Sequence, residues 1–461
     1  MGPFFPYAPK VFLLCLLWSP LSLAEYLSEP RFINRWDTGE PMLEGNGISG
    51  SIDGRVFATT QSGSLWIFSP LEEEESDPIV FKPSIWVDVA TGNALDVVCR
   101  SSVVLKETPA GAVLYAVYVV IDLDPATGQP VQTRVLGINP DDGSLLWFLV
   151  LDASVAEGTP AIGQDFIYVV HNTIANEEGR LSLIRVTRSN SDSFYVATVA
   201  DTISSTGAPW APPSVAAFPA DDESPWVEAV VWGDSFDNGR SEIGSTYLLR
   251  AGDGGGARSF QTLSELSGST ITAPTLGSIQ GSNDAYDWNI ATGNYGGLLQ
   301  LWSQANWNQI LGGTTQVGGT LNPDWTQTAT SFTSGESPLR VSPIFSASET
   351  FVFVAGAEGG LSAWGLQRAR LQWEFPTPAH LSQPVLYVPQ SQDNNNPSVL
   401  YACDATGIIR QVQANNRGNV NWSVDYCEVN SLITCPGVSA DIMISRNGNR
   451  LFVANEQGNI F

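Results

Sequence analysis

The side chains best suited to chemistry are few and far apart. Beyond the N-terminal segment the cysteines stand at Cys99, Cys403, Cys427 and Cys435, and the only histidines are His171 and His380. A structural zinc site takes four Cys or His ligands, usually in closely spaced pairs, and the chain has no C-x-x-C. Four half-cystines allow three pairings. Cys427 and Cys435 bracket the short segment Glu428–Thr434 and are expected to form a disulfide. Cys99 and Cys403 lie in opposite halves of the chain and are expected as buried thiols in strands. Among the acids, Asp122 and Asp124 are two apart and Asp141-Asp142 precedes a glycine. Calcium wants six to eight oxygens, which no local loop supplies, so hairpin duty suits these residues better. Glu72–Glu75 with Asp77 forms an acidic loop, solvated by default and able to attract cations or a basic partner. His171 follows Tyr-Val-Val at a strand end, and it is the one histidine placed to act as a base; a structural role is the simpler reading. His380, after Pro-Thr-Pro-Ala, reads as loop. No G-x-S-x-G, P-loop or H-E-x-x-H occurs. The single sequon, Asn421-Trp-Ser423, falls on a strand whose Trp should be buried, which argues against a glycan there.

The elements that would position these groups are strands. The 461 residues include 15 Trp, 43 Gly and 29 Pro, with only 15% charged residues. That is ample core and turn material, which excludes a disordered chain. Abundant Val, Thr, Trp and Tyr favour β-structure. The formal charge of −26 repels phosphate backbones and argues against nucleic-acid binding.

The N-terminus reads as a secretory leader. Lys10 precedes the apolar run Val11–Trp18, and Ser22-Leu-Ala24 places small residues at a cleavage site, so residues 1–24 are expected to be removed. The run is shorter than the ~20 residues that span a bilayer. Leu14 before Cys15 also spoils a lipoprotein signal. No later run is long enough to cross; Val113–Ile121 alternates like a strand. Residues 25–461 are then one exported domain, with a formal charge of −27 after Lys10 is lost.

Self-similarity organises the rest of the chain. From Pro343 the order is a short apolar strand, Phe351–Ala355, a Gly turn, Leu361–Trp364 and a closing Leu371-Gln-Trp373. From Pro384 it repeats as Val385–Val388, Val399–Cys403, a Thr-Gly turn, Ile408-Ile-Arg410 and Val420-Asn-Trp422. Other copies close near Trp86, Trp147, Phe194, Phe260 and Trp307. The last copy, from Ser439, stops after three strands, and Arg31–Trp36 has the form of its missing fourth. The expected fold is all-β: an eight-bladed propeller of four-stranded antiparallel blades, closed by an N-terminal strand joining the last blade. The count falls to seven if the degenerate copies at Phe194 and Phe260 are not separate blades. Such closure leaves no unpaired sheet edge to seal. A Trp on each outer strand (Trp36, Trp86, Trp147, Trp307, Trp373 and Trp422) is expected to lie against the next blade, burying ~200 Å².

These segments resemble the pyrroloquinoline-quinone (PQQ) type propeller repeat, most closely at Leu136–Trp147, Leu361–Trp373 and Tyr401–Trp422, with an echo at Asp122–Gln129. The resemblance spans about residues 30–461 and implies architecture more than activity, since the family includes quinoprotein dehydrogenases, outer-membrane assembly scaffolds and luminal sensor domains. Its dehydrogenases carry adjacent cysteines above the quinone, and a calcium ion held by Glu, Asn and Asp; this chain has no adjacent cysteines. The sequence is therefore read as a non-catalytic, monomeric propeller of the secretory pathway that binds a protein partner and needs no cofactor. The alternatives are a PQQ- and calcium-dependent dehydrogenase and the luminal sensor part of a longer membrane protein.

Overall fold

A computed structural model describes residues 36–461, apart from 43–46, 70–76, 88–93, 190–193, 219–226, 238–241, 253–258, 268–273, 281–285, 303–322, 329–338, 390–396, 427–441 and breaks of one to three residues elsewhere. The leader, Glu72–Glu75, Trp307, His380, Cys427 and Cys435 lie outside the described residues. Among the described residues five sheets have four antiparallel strands in chain order, and two others have five and six. The first sheet is Ile48–Gly50, Val56–Thr59, Leu65–Phe68 and Ile79–Phe81. The best-kept repeat gives Ile344–Phe345, Phe351–Ala355, Leu361–Gly365 and Arg370–Phe375, and the one after it Val385–Tyr387, Val399–Cys403, Ile408–Gln413 and Val420–Asp425.

Two local devices recur because the same residue types fall at the same offsets. Where the second strand turns into the third, Thr60, Asn294, Gly356, Asp404 and Asn455 each donate N–H to the carbonyl four residues on and accept from the glycine three residues on. Those glycines, among them Gly63, Gly407 and Gly458, have φ of +83°, +91° and +86°, a region that costs other residues about 1–2 kcal/mol. Asp404 and Asn455 reinforce their turns by accepting further backbone N–H groups on the side-chain oxygen.

The second device is a bulge between third and fourth strands. Gly137 pairs with Trp147 and Ile138 with Leu145, so Leu146 is the extra residue. Ala363–Trp373 with Trp364–Leu371 leaves out Gln372, and Gln411–Trp422 with Val412–Val420 leaves out Asn421. In all three sheets the extra residue stands just before the tryptophan. A bulge re-aims the side chain that follows it.

The second and third sheets are larger because the lead-in to each adds pairing above the first strand. Val113–Leu123 pairs at one end with Val104–Glu107 and at the other with Ala94–Val98. Ile167–Thr173 likewise pairs with both Ala161–Ile162 and Ser154–Val155. Val113–Leu123 is buried almost throughout instead of alternating, because apolar side chains cover both of its faces.

Two closing positions differ from the spacing-based expectation. The fourth strand of the first sheet is Ile79–Phe81, whereas Trp86–Val87 pairs with Ala94–Val98 in the next sheet. The strand that pairs outside Leu298–Trp302 is Trp325–Thr328. Aromatic spacing cannot separate a fourth strand from the lead-in to the next sheet, since both are short apolar segments following a turn.

The two ends of the described residues pair with each other. Ile442–Ile444 pairs with Leu451–Val453, Val453 exchanges both backbone bonds with Phe461, and Asn459–Ile460 pairs with Trp36–Asp37. The core lies between sheets rather than within them. Tyr118 and Val120 pack on Phe57 and Leu65; Leu400 and Val412 on Phe353 and Trp373; Phe452 on Val56 and Phe68. First strands and the segments that lead into them are also stitched across neighbouring sheets, by Ser49 Oγ to Val103 O, Ser102 N to Thr159 Oγ1, Thr275 Oγ1 to Pro343 O, and a two-way bond between Ser342 and Gln383. One sheet buries neither face alone, and stacking on neighbours buries both.

Candidate interaction surface

The tryptophans aimed by the bulges fasten one sheet to the next. Trp373 packs with Phe353 of its own sheet and donates Nε1–H to Asn415 O in the turn of the following sheet, at 2.5 Å. Gly418 in that turn has φ of +59°, and any Cβ there would lie under 3.0 Å from indole carbons. Trp325 makes the same reach, donating Nε1–H to Leu366 O at 2.9 Å. Trp147 lies over Gly137 and meets Tyr115 edge-on at 5.7 Å. Trp36 packs on Phe68 and Phe452, and Trp422 on Tyr401. Asn421, the sequon residue, donates Nδ2–H to Gln411 Oε1 at 2.7 Å and accepts from Gln413 Nε2.

Asp122, Asp141 and Asp142, singled out for chemistry by the sequence, and other polar groups like them are occupied with holding strands and turns together. Asp122, fully buried, accepts from Arg134 at 2.6 Å and from Gln132 at 2.8 Å. Asp404 accepts from Arg410 at 2.6 Å while it caps its turn. Asp141 pairs with Arg55 of the first sheet, and Asp142 caps Ser144 N. Glu228, 2% exposed, accepts from Tyr168 Oη and from the Gln164 and Asp165 amides, which locks the fourth sheet onto a hairpin of the third. Lys106 grips the same hairpin at Gly163 O and Gln164 O.

His171 is buried with Nε2 against Ser182 Oγ at 2.9 Å, and Nδ1 has no partner. Burial, and then the nearby Arg180 charge, push its pKa down to about 4, so it is neutral at physiological pH. Cys99 and Cys403 are buried thiols, as the sequence suggests, with Cys403 in a strand and Cys99 just past the end of one; burial pushes the Cys99 pKa up to about 11 and that of Cys403 well up. Calcium needs clustered carboxylate and amide oxygens facing an open space. Among the described residues no three His, Cys, Asp or Glu side chains group to hold a metal, and the buried carboxylates described above already have Arg, Tyr or amide partners. These residues do not fit such a site.

The described surface also carries a cluster of exposed apolar side chains. The outer strands Leu145–Asp152 and Tyr195–Ser204 of adjacent sheets flank a groove of about 400 Å³. Its floor is Trp147 and Tyr195, each edge-on to Tyr115. Its walls expose Leu145, Phe148, Phe194 and Val196, with Phe194 67% exposed. Phe194, which the repeat pattern reads as a closing aromatic, thus stands outside, and Tyr195 takes the packed position. Sequence reasoning has no signal for this groove, since alternate apolar residues on an outer strand look the same whether the next sheet covers them or not. A cluster of large apolar side chains in the open is a feature of interaction sites.

No family model matches the chain, and no curated protein matches it in sequence. Solved structures do match. BamB from Moraxella catarrhalis aligns over 93% of this chain and 95% of its own, with a TM-score of 0.51 and 11% identity. Saccharomyces cerevisiae Sqt1 aligns over 94% and 98%, with a TM-score of 0.56 and 12% identity. The C-terminal WD40 domain of Sif2 aligns over 91% and 97%, with a TM-score of 0.49 and 10% identity. The class defined by this fold is the β-propeller. Among the described residues no helix is long and apolar enough to cross a membrane.

Proposed function

We propose that this chain is an exported, non-catalytic β-propeller scaffold that holds a protein partner in the groove between its second and third sheets. The observation that carries the reading is the open apolar groove walled by Phe148 and Phe194. In the full proposal residues 1–24 are a cleaved leader and residues 25–461 a single ring of eight blades. The Trp36 strand completes the last blade, and Cys427 and Cys435 are disulfide-bonded. The pairing of Trp36 with Ile460 and the apolar clusters shared by successive sheets support the ring. Partner binding without chemistry is supported by His171 being buried and neutral and by Asp122, Asp404 and Glu228 serving as structural acceptors. In this reading neither PQQ nor calcium is required.

The test compares wild type with Phe148→Asp plus Phe194→Asp in affinity capture from the exported fraction of the source cells, with a thermal melt as the folding control. A partner recovered by wild type and lost by the variant is the expected result. No reproducible partner, or equal recovery by both, sinks the reading. A parallel incubation with PQQ and calcium should leave the melt unchanged and reduce no dye; stabilisation with dye reduction would establish the dehydrogenase instead.

A further inference from the structure

Resting on the groove assignment above, we infer that the partner enters as an extended strand pairing with the Tyr195–Val199 edge, and that this strand is apolar with basic flanks. Tyr195–Ser204 is the outermost strand of its sheet, ten residues long, with no buried position and seven exposed ones. It carries neither Lys nor Pro, residues that commonly blunt an edge against pairing. Its phase is set where Ser189 N–H donates to Phe194 O at 2.8 Å. Antiparallel bonding alternates along a ladder, so Val196 and Thr198, opposite Thr187 and Arg185, turn their backbone groups inward. Tyr195, Ala197 and Val199 then turn theirs outward. The register shift at Ala200 ends the straight run, which leaves a template of five residues.

Tyr195 and Ala197 pack toward the second sheet, and residues 194–197 all line the groove. A strand added at this edge would continue the sheet, and alternate side chains of the newcomer would descend beside Phe148 and Phe194. Backbone pairing and apolar burial would act together. Charge selects the flanks. Exposed Asp141 and Asp142 precede one groove strand, Asp152 ends it, and exposed Asp201 lies on the other, on a chain of formal charge −26. Arg188 is a cation beside the groove, over the Tyr195 ring at 5.9 Å. The field attracts Lys or Arg and repels an acidic strand.

The probe is a fluorescent peptide alternating Val and Thr between terminal lysines, titrated onto the purified mature chain by anisotropy. Four comparisons accompany it: the same peptide with alternate amides N-methylated, a version with glutamates for lysines, and the variants Ala197→Pro and Phe194→Asp. Proline at position 197 removes an outward N–H and spares the inward ladder. The expected result is saturable binding, weakened at least about ten-fold by N-methylation, by the acidic flanks and by Ala197→Pro. Because N-methylation alters only the peptide, that arm stands even if Ala197→Pro misfolds. Binding that ignores N-methylation yet is lost in the Phe194→Asp variant overturns strand addition while keeping the groove. Equal affinity for acidic and basic peptides overturns the assigned charge. No binding by the lysine-flanked peptide overturns the inference outright, as does dimerisation of the chain abolished by Ala197→Pro, which would make a second copy the occupant.

Discussion

Replacing Gly418 by alanine tests whether tryptophans of one sheet dock into the turns of the next. Two costs are expected. Gly418 has φ of +59°, a left-handed conformation worth about 1–2 kcal/mol against any L side chain. The new methyl would also fall under 3.0 Å from three Trp373 indole carbons, an overpacking that costs about 1–3 kcal/mol. Gly418→Ala should therefore destabilise by about 2–5 kcal/mol, the sum of the strain and overpacking costs. Trp373→Ala alone should cost about 3–5 kcal/mol, as truncation of a buried indole does, with its bond to Asn415 O included. In the double variant the indole is gone, and only the backbone strain at position 418 remains. The two changes should thus fall short of additivity by about 1–3 kcal/mol. The assay is denaturant unfolding followed by far-ultraviolet circular dichroism on all four proteins, with similar slopes as the condition for comparison. Strict additivity would refute the docking geometry, because it would mean that Gly418 never faces the ring.

Further tests address the buried polar groups. His171 binds its proton at about 4 when folded and near 6.5 when unfolded, so the unfolded chain takes up the proton first as pH falls. Stability is lost from about pH 6.5 down to about pH 4, by up to roughly 3 kcal/mol at about 1.36 kcal/mol per unit; the stability difference between wild type and His171→Gln should change over that window, and a flat difference would remove His171 from the account. Asp122→Ala strips buried Arg134 of its carboxylate and should cost about 3–5 kcal/mol, whereas Asp122→Leu with Arg134→Met should cost much less, both read from unfolding midpoints. Cys99 and Cys403 should ignore a thiol reagent in the native protein, and the denatured, unreduced mature chain should titrate only these two thiols if Cys427 and Cys435 are bonded; four would rule the bond out.

Much of the repeat is legible in residue order because its physics is local. A glycine three places after Thr60, Asp404 or Asn455 supplies the positive φ that the tight turn requires. The tryptophans of Leu371-Gln-Trp373 and Val420-Asn-Trp422 fall at a similar place after that turn, and the residue before each is the bulge. The incomplete last copy points to the N-terminal segment as its outer strand, and Trp36 pairs with Ile460. Spacing fails where loops vary in length. Trp86 falls in a lead-in strand, and Trp325 takes the fourth-strand place that spacing assigns to the neighbourhood of Trp307.

The sequence by itself determined strand, turn and repeat, since each depends on residues a few places apart in the chain. Tertiary structure alone decided which apolar side chains stay open. Tyr195 is packed and Phe194 is not, although they are neighbours in the chain, because the sheet that covers the first is built from residues far earlier, Tyr115 and Trp147 among them. It also decided the fate of the ionisable groups. Asp122, Glu228 and His171 carry familiar catalytic side chains, and only the strands packed around them make two of them acceptors and the third a neutral, buried ring.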